Sequence, residues 1–213
     1  MGATAYKIRR KYTWDEYRTW PDDQRWEIIG GEAFAMSPSP TSRHQRISME
    51  ISDALRRKFR KGPCEVFVAP MDVKLSEEDI VQPDIFVVCD KTQDKGTHFE
   101  GPPKLVVEIL SDSTAQNDRL RKSRLYARAG VQEYWIVTPF PEIVEVLSLD
   151  GANYRLLHVF KKEDTLVSAA FPNLKIKLNE VFTMPPDPAV AKLIVREGNP
   201  PFAKKQVART KPS

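Results

Sequence analysis

Three ionisable residues that could form a catalytic site occur in or beside strongly apolar segments. Asp84 opens the run PDIFVV, Glu108 interrupts the run KLVVEIL, and Lys122 follows in a segment with helical spacing. Burying a carboxylate is costly unless it is paired with a cation or bound to a metal ion. Two carboxylates with an ammonium group near them are the parts of a metal-dependent site that cleaves phosphodiester bonds.

This chemistry gives each of the three residues a role. Phosphodiester hydrolysis requires an attacking water, counter-charge for the transition state and help for the leaving oxygen. Magnesium is a hard ion that prefers one or two carboxylates, carbonyl oxygens and waters as ligands. We therefore predict that Asp84 and Glu108 bind Mg²⁺ or Mn²⁺, with a strand carbonyl such as that of Ile109 between them. Lys122 would orient the water and offset the developing negative charge.

Glu108 and Lys122 lie in a predicted strand–helix–strand passage. The strand that contains Glu108 is followed by a helix predicted from about residue 115 to residue 129, and then by the strand EYWIVT. Ser113 and Gln116 have capping-box spacing at the start of this helix, and Gly130 ends it. Such a crossover is right-handed and places the two strands parallel in one sheet.

One face of the predicted helix points toward the two acids. Asp118, Lys122 and Tyr126 recur at intervals of four residues, so they share a helical face. Asp84 and Glu108 would lie on neighbouring strands, and the helix would pass close to both.

The other segments predict an α/β fold, with a mixed β-sheet flanked by helices and preceded by a short helix and a hairpin. The short helix is TWDEYRTW, with Thr13 and Glu16 in capping-box spacing. The hairpin is RWEIIGGEAFAMSP, which turns at Gly30-Gly31.

A longer amphipathic helix is predicted in SRHQRISMEISDALRRKFRKG. Its inner face consists of Ile47, Ile51, Ala54, Leu55 and Phe59. Toward the other end of the domain, Asp150-Gly151 predicts a second hairpin. The segment LKIKLNEVF predicts a last strand and a short helix.

The order of several segments resembles a known family. The likeness is carried by RWEIIGGEAFAMSPSPTSRHQRI, PDIFVV, LVVEILSDST and NDRLRKSRLYARAGVQEYWIV, within roughly Thr13 to Phe182. Together they resemble the Uma-two family of bacterial restriction endonuclease-like proteins, within the PD-(D/E)xK nuclease superfamily. The resemblance implies a restriction-endonuclease-like fold, an Mg²⁺-dependent endonuclease activity with DNA as the most favoured substrate, and a homodimer.

The resemblance also implies roles for the three central residues. Asp84 is the motif aspartate and Glu108 is the second acid. The motif lysine is expected two positions after the second acid, where this chain has Leu110. In this family the lysine has moved into the following helix, which points again to Lys122.

Two further residues match positions near the family's site. Glu32 in GEAF and His44 in RHQR are implied as supporting catalytic residues. The family usually has an acid after YWIV, whereas this chain has Thr138. No role for a carboxylate is therefore expected at that position.

Length and charge indicate how the rest of the chain is organised. Its 213 residues, 41% hydrophobic and 29% charged, fit one globular domain over 13–183, with an N-terminal extension over 1–12 and a tail over 184–213. The chain has 33 basic and 29 acidic residues, and six of the basic residues and one of the acidic residues lie from Lys192 onward. The first 191 residues therefore carry 27 basic and 28 acidic residues. The net charge of +4 therefore reflects mainly a Pro- and Lys-rich tail, which we expect to be partly disordered.

The sequence also predicts a compartment. Its first residues contain no apolar stretch of the kind a signal peptide needs, and no segment is long enough to cross a bilayer. Cys64 and Cys89 lack the spacing of a metal or redox site, so we expect two buried thiols in a reducing environment. These features favour a cytoplasmic protein without a membrane partner.

Two other interpretations of the same residues stay open. A nucleic-acid-binding module could keep the fold without cleavage. A structural salt bridge between Glu108 and Lys122 would explain both residues without a metal ion. The basic cluster RRKFRK at the end of the longer helix could bind phosphates, but cations suit a helix C-terminus in any case. No segment assigns sequence preference, or DNA against RNA.

Overall fold

The computed structural model describes residues 10–21, 24–36, 40–110 and 115–184. Its helices are α1 (Trp14–Tyr17), α2 (Ser42–Phe59), α3 (Ala115–Ala129) and α4 (Leu178–Val181). Its strands are β1 (Trp26–Ile29), β2 (Glu32–Ala35), β3 (Glu65–Val68), β4 (Val73–Ser76), β5 (Asp79–Val81), β6 (Ile85–Val88), β7 (Phe99–Glu100), β8 (Leu105–Ile109), β9 (Glu133–Thr138), β10 (Ile143–Asp150), β11 (Asn153–Lys161), β12 (Thr165–Val167) and β13 (Lys175–Lys177). The capping box predicted at Ser113 and Gln116, and nearly all of the predicted tail, fall outside the described residues.

A six-stranded sheet, in the order β11-β10-β9-β8-β6-β3, carries two of the predicted site residues. Strands β8 and β9 are parallel, with Leu105 opposite Glu133 and Ile109 opposite Val137. The other neighbouring strands of this sheet are antiparallel. Because α3 connects β8 to β9, the predicted parallel pairing across the strand–helix–strand passage is confirmed.

Side chains of this sheet alternate between two buried faces. On β8, Leu105, Val107 and Ile109 join the apolar cluster that includes the inner face of α2. Val106 joins a second cluster, which includes residues of α3. Because successive residues of a strand point to opposite faces, Glu108 points to the same face as Val106. The second acid therefore faces α3.

Helix α2 is fixed by its N-cap and by its apolar face. Oγ1 of the N-cap residue Thr41 accepts a hydrogen bond from the backbone N–H of His44. Fully burying a Leu, Ile or Phe side chain contributes about 1.5–3 kcal/mol. The predicted inner face is confirmed, since Ala54 packs against the cluster and the other four residues are buried, namely Ile47, Ile51, Leu55 and Phe59. This packing fixes the first turn of α2, which carries His44.

A second sheet has five strands in the order β2-β1-β5-β4-β7. It begins with the predicted hairpin, in which β1 and β2 pair antiparallel and Ile29 lies opposite Glu32. Gly30 and Gly31 form the turn with φ of 60° and 80°, values that suit glycine in a tight two-residue connection. The hairpin that turns at Asp150-Gly151, between β10 and β11, is confirmed as well.

Some of the short helices and strands were predicted from local sequence, and one strand was not. The capping box between Thr13 and Glu16 is present at the start of α1. The final strand and short helix are present as β13 and α4. Strand β5 was not predicted, because it has three residues within the polar stretch SEEDIVQ. It joins the hairpin to β4, so part of the chain expected in one mixed sheet lies in the second sheet.

The two cysteines form a disulfide, so the expectation of two free thiols is wrong. Glu65 lies opposite Val88 in the antiparallel pair of β3 and β6, which places Cys64 and Cys89 at the next paired position. Their Cα atoms are 3.9 Å apart. A separation of 25 residues in sequence gave no indication of this proximity, which depends on the register of the two strands.

No helix among the described residues is both long and apolar enough to cross a membrane. The cytoplasmic location expected from the sequence stays a prediction.

Candidate active site

Asp84 and Glu108 meet where β6 and β8 pair. Ile85 lies opposite Val107, and this antiparallel register continues to bring Asp84 beside Glu108. Oδ2 of Asp84 accepts a hydrogen bond of 2.7 Å from the backbone N–H of Ile109. The first acid is thereby tied to the strand that carries the second acid.

Helix α3 supplies two donors to the second acid. Nζ of Lys122 donates to Oε1 of Glu108 at 3.1 Å, and the hydroxyl of Tyr126 donates to the same oxygen at 2.6 Å. Lys122 and Tyr126 share one helical face, as the spacing of four residues predicted. All three side chains are buried, and Glu108 is 7% exposed. The side chain of Asp118, predicted on the same face, lies outside the described residues.

A third carboxylate, which the sequence analysis missed, completes the ion-pair network. Nζ of Lys122 lies 2.9 Å from Oε1 of Glu27 on β1. The same oxygen accepts a hydrogen bond of 3.0 Å from the backbone N–H of Gln82. Glu27 stands in the apolar run WEII, so the signal that singled out Glu108 was available for it too. What the sequence did not indicate is that the hairpin packs against α3.

The electrostatics of the cluster are set by burial and by an excess of acids. Burial raises the pKa of Glu108 to about 8, and the nearby charge of Lys122 opposes this rise. The charges of Asp84 and Glu27 raise the pKa of Glu108 further, whereas the hydrogen bond from Tyr126 lowers it. Burial, followed by the charge of Glu108, also raises the pKa of Tyr126 well above its usual value. Without a metal ion, Glu108 and Tyr126 therefore lose their protons less readily than the same groups do in water.

His44 reaches the cluster from the first turn of α2. Its Nε2 lies 3.1 Å from Oδ2 of Asp84, and the two side chains are 15% and 18% exposed. Within the described part of the chain, Nδ1 of His44 is buried without a hydrogen-bond partner. The sequence placed His44 near the site by resemblance alone, and the structure brings its ring into contact with Asp84.

Glu32 lies at the start of β2, opposite Ile29, and lines a cleft of about 740 Å³ together with Tyr12, Trp20 and Trp26. The neighbouring strand β1 carries Glu27, whose carboxylate contacts Lys122. The hairpin therefore contributes Glu27 to the cluster.

The donor chemistry fits a hard divalent cation. Within the described ranges, hydrogen bonds to the two acids go to Oδ2 of Asp84 and Oε1 of Glu108, so Oδ1 and Oε2 can serve a ligand. No group of three His, Cys, Asp or Glu side chains in those ranges forms a ready-made metal cage. Magnesium commonly takes only one or two carboxylates and keeps several waters, so this arrangement suits it.

The fold and the site together define a restriction-endonuclease-like α/β protein. A solved structure described as a putative nuclease belonging to DUF820, from Anabaena variabilis ATCC 29413, has a similar fold, with a TM-score of 0.67. The likeness covers 80% of this chain and 97% of that one, at 19% sequence identity.

Sequence comparison identifies the family. Residues 14–179 match the profile of the Uma2 family, whose description is "Putative restriction endonuclease". This match spans well over half of the chain, so the chain belongs to the Uma2 family, and the predicted family is confirmed. The chain is also 34% identical over 128 residues to "Uncharacterized protein slr1290" from Synechocystis sp. (strain ATCC 27184 / PCC 6803 / Kazusa), covering 58% of this chain and 67% of that protein.

Proposed function

We propose that this protein is a metal-dependent endonuclease that hydrolyses phosphodiester bonds, with DNA as its favoured substrate. The observation that carries the proposal is the charge imbalance of the buried cluster. Among the described residues, the carboxylates of Glu27 and Glu108 contact the ammonium group of Lys122, and the charge of Asp84 raises the pKa of Glu108, so that three neighbouring acids face one lysine. A divalent cation would balance the two acids in excess. Membership in the Uma2 family supports the same activity.

Asp84 and Glu108 would hold the cation through the oxygens that their hydrogen bonds leave available. When bound, Mg²⁺ or Mn²⁺ would supply Lewis-acid stabilisation of the phosphate and lower the pKa of a coordinated water. Lys122 would orient the attacking water and offset negative charge on the phosphate. Glu27 would keep Lys122 in place, since its carboxylate lies 2.9 Å from the ammonium group.

His44 would act as a positioning residue for Asp84. Its contact with Oδ2 adds to the hydrogen bond from the backbone of Ile109, so two groups fix this carboxylate. Such fixed ligands favour precise metal binding. Glu32 stays a proposed supporting residue. The homodimer implied by the family resemblance also stays a prediction, and two sites in one assembly would suit cleavage of both strands.

The alternative is a nucleic-acid-binding module without cleavage. The two close contacts of Lys122 with carboxylates support the absence of cleavage in this alternative, because a buried lysine engaged in this way also suits a purely structural network. Plasmid relaxation separates the two functions. The purified protein is incubated with supercoiled DNA, with Mn²⁺ and with EDTA.

If the protein is a nuclease, the wild type should nick the plasmid in Mn²⁺ and should not nick it in EDTA. Asp84→Asn should abolish nicking while leaving the thermal midpoint of unfolding near that of the wild type. Asp53→Asn, at an exposed carboxylate on α2, is the matched control and should nick normally. Wild-type protein that binds the plasmid but never nicks it, across a broad range of conditions, would support the binding module.

A further inference from the structure

Arg119 lies one turn before Lys122 on α3 and faces the same side of the central sheet. Its Nη2 donates a hydrogen bond of 2.6 Å to Oε1 of Glu145 on β10. The side chain of Arg119 is 41% exposed, whereas that of Glu145 is 10% exposed. Glu145 thus fixes the guanidinium group through Nη2, while the side chain of Arg119 stays partly exposed to solvent.

Glu145 belongs to the same cross-strand row as the second acid of the site. Glu108 lies opposite Ile136 on β9, and Ile136 lies opposite Glu145 on β10. Residues paired in this way share a face of the sheet, and neighbouring strands are about 4.8 Å apart. Since one strand intervenes, the backbones of Glu108 and Glu145 are separated by roughly 10 Å. Arg119 is therefore held beside the site, displaced from it along the row.

We propose that Arg119 binds a backbone phosphate of the nucleic acid, adjacent to the phosphate that is cleaved. This inference rests on the proposed function and adds a substrate-binding residue to it. A guanidinium group presents several N–H donors in a fixed plane, which suits phosphate oxygens. Nη2 of the group is engaged by Glu145, and the partial exposure of the side chain leaves other N–H donors accessible to a phosphate. Glu145 is then a positioning residue, because it fixes the orientation of Arg119.

A purely structural bridge between α3 and β10 makes a different prediction from a phosphate site. If the bridge only held the helix, removal of either charge would break it, and both changes would have similar effects on DNA binding. If Arg119 contacts phosphate, removal of its charge should weaken binding far more than removal of the charge of Glu145. The two partners therefore discriminate between the roles.

The experiment measures binding of a fluorescein-labelled DNA duplex in Ca²⁺, at several salt concentrations. The proteins are the wild type, Arg119→Gln, Glu145→Gln, the double variant with both changes, and Arg124→Gln. Arg124 is an exposed arginine on α3 and serves as the matched control. The double variant leaves no buried carboxylate without its cation, so it keeps the test open if Arg119→Gln alone folds poorly.

Arg119→Gln and the double variant should bind DNA about tenfold or more weakly, as expected for loss of charge-assisted hydrogen bonds. The slope of log affinity against log salt should fall by about 0.9 for one lost phosphate contact. Glu145→Gln should lose less affinity, and Arg124→Gln should resemble the wild type. Equal losses for Arg119→Gln and Glu145→Gln, or wild-type affinity in the double variant, would overturn the inference while leaving the proposed function intact. Wild-type protein that neither binds nor cuts DNA or RNA would overturn the proposed function and this inference with it.

Discussion

Nζ of Lys122 lies 2.9 Å from Oε1 of Glu27, although the two residues are 95 positions apart in sequence. Through this contact the N-terminal hairpin joins the network that α3 forms with β8. The same ammonium group also contacts Glu108 at 3.1 Å. The site is therefore assembled from both larger sheets, and its lysine is held between them.

Replacement of Glu27 by Gln should weaken both stability and the proposed activity. The change removes the charge of one of the two carboxylates that contact Lys122, and hydrogen bonds to charged groups contribute about 1.5–3 kcal/mol. We expect the free energy of unfolding in urea to fall by roughly that amount. We also expect plasmid nicking to slow markedly, because Lys122 is less well fixed. Unchanged stability and nicking would show that the contact has no role.

The stability of the metal-free protein should depend on pH through Glu108. Burial raises the folded-state pKa of this carboxyl to about 8, above its usual value of 4.5, so the folded state binds the proton more tightly. The resulting stabilisation is complete below pH 4.5 and is lost as pH rises to about 8. Glu108→Gln cannot ionise, so its stability relative to the wild type should increase over this range, by up to about 1.4 kcal/mol per pH unit.

Urea unfolding in EDTA at pH 5 and pH 8, near the two ends of this range, would measure the effect. The same substitution at Glu50, which is exposed on α2, is the matched control. A difference between Glu108→Gln and the wild type that stays constant with pH would refute the assignment.

Glu133 is a second buried acid in the central sheet, and it should be structural. It is fully buried, and it accepts hydrogen bonds from Nε1 of Trp135, Oγ of Ser168 and the backbone N–H of Ala170. Glu133→Gln places an amide donor against these donors, which should cost roughly 1–3 kcal/mol of unfolding free energy. Activity per folded molecule should be unaffected. Loss of nicking without loss of stability would contradict this assignment.

The disulfide between Cys64 and Cys89 should stabilise the fold measurably. It closes a loop with a sequence separation of 25, for which loss of chain entropy in the unfolded state gives about 3.5 kcal/mol. Addition of dithiothreitol should therefore lower the thermal midpoint of unfolding. The double variant Cys64→Ser, Cys89→Ser should match the reduced wild type and should not respond to the reductant. Titration of two free thiols in folded, unreduced protein would be the opposing result.

The sequence predicted the elements of this fold better than the partners of its acids. An acid inside an apolar run marked Glu108, yet Glu27 and Glu133 carry the same signal and have different surroundings. Neutral donors surround Glu133, whereas Glu27 and Glu108 share one lysine. Which of these environments an acid meets depends on how distant segments pack.

The same physical limit explains the other differences from the sequence analysis. Strand pairing brings Cys64 beside Cys89, and no local pattern encodes that register. Strand β5 has only three residues, too few to show a strand periodicity, although it links β1 to β4. The α2 face and the parallel pair of β8 and β9 were predictable, because local periodicity and chain connectivity determine them.

Calorimetric titration of Mn²⁺ into the metal-free protein measures whether the two acids bind a divalent cation. We expect the wild type to bind the ion and Asp84→Asn to bind it at least about tenfold more weakly, since even the loss of a residue that only orients a metal ligand typically costs about 10- to 100-fold in affinity. Asp53→Asn should bind Mn²⁺ as the wild type does. A wild-type protein that takes up no Mn²⁺, or an Asp84→Asn variant that binds it with undiminished affinity, would show that these acids do not form a metal site.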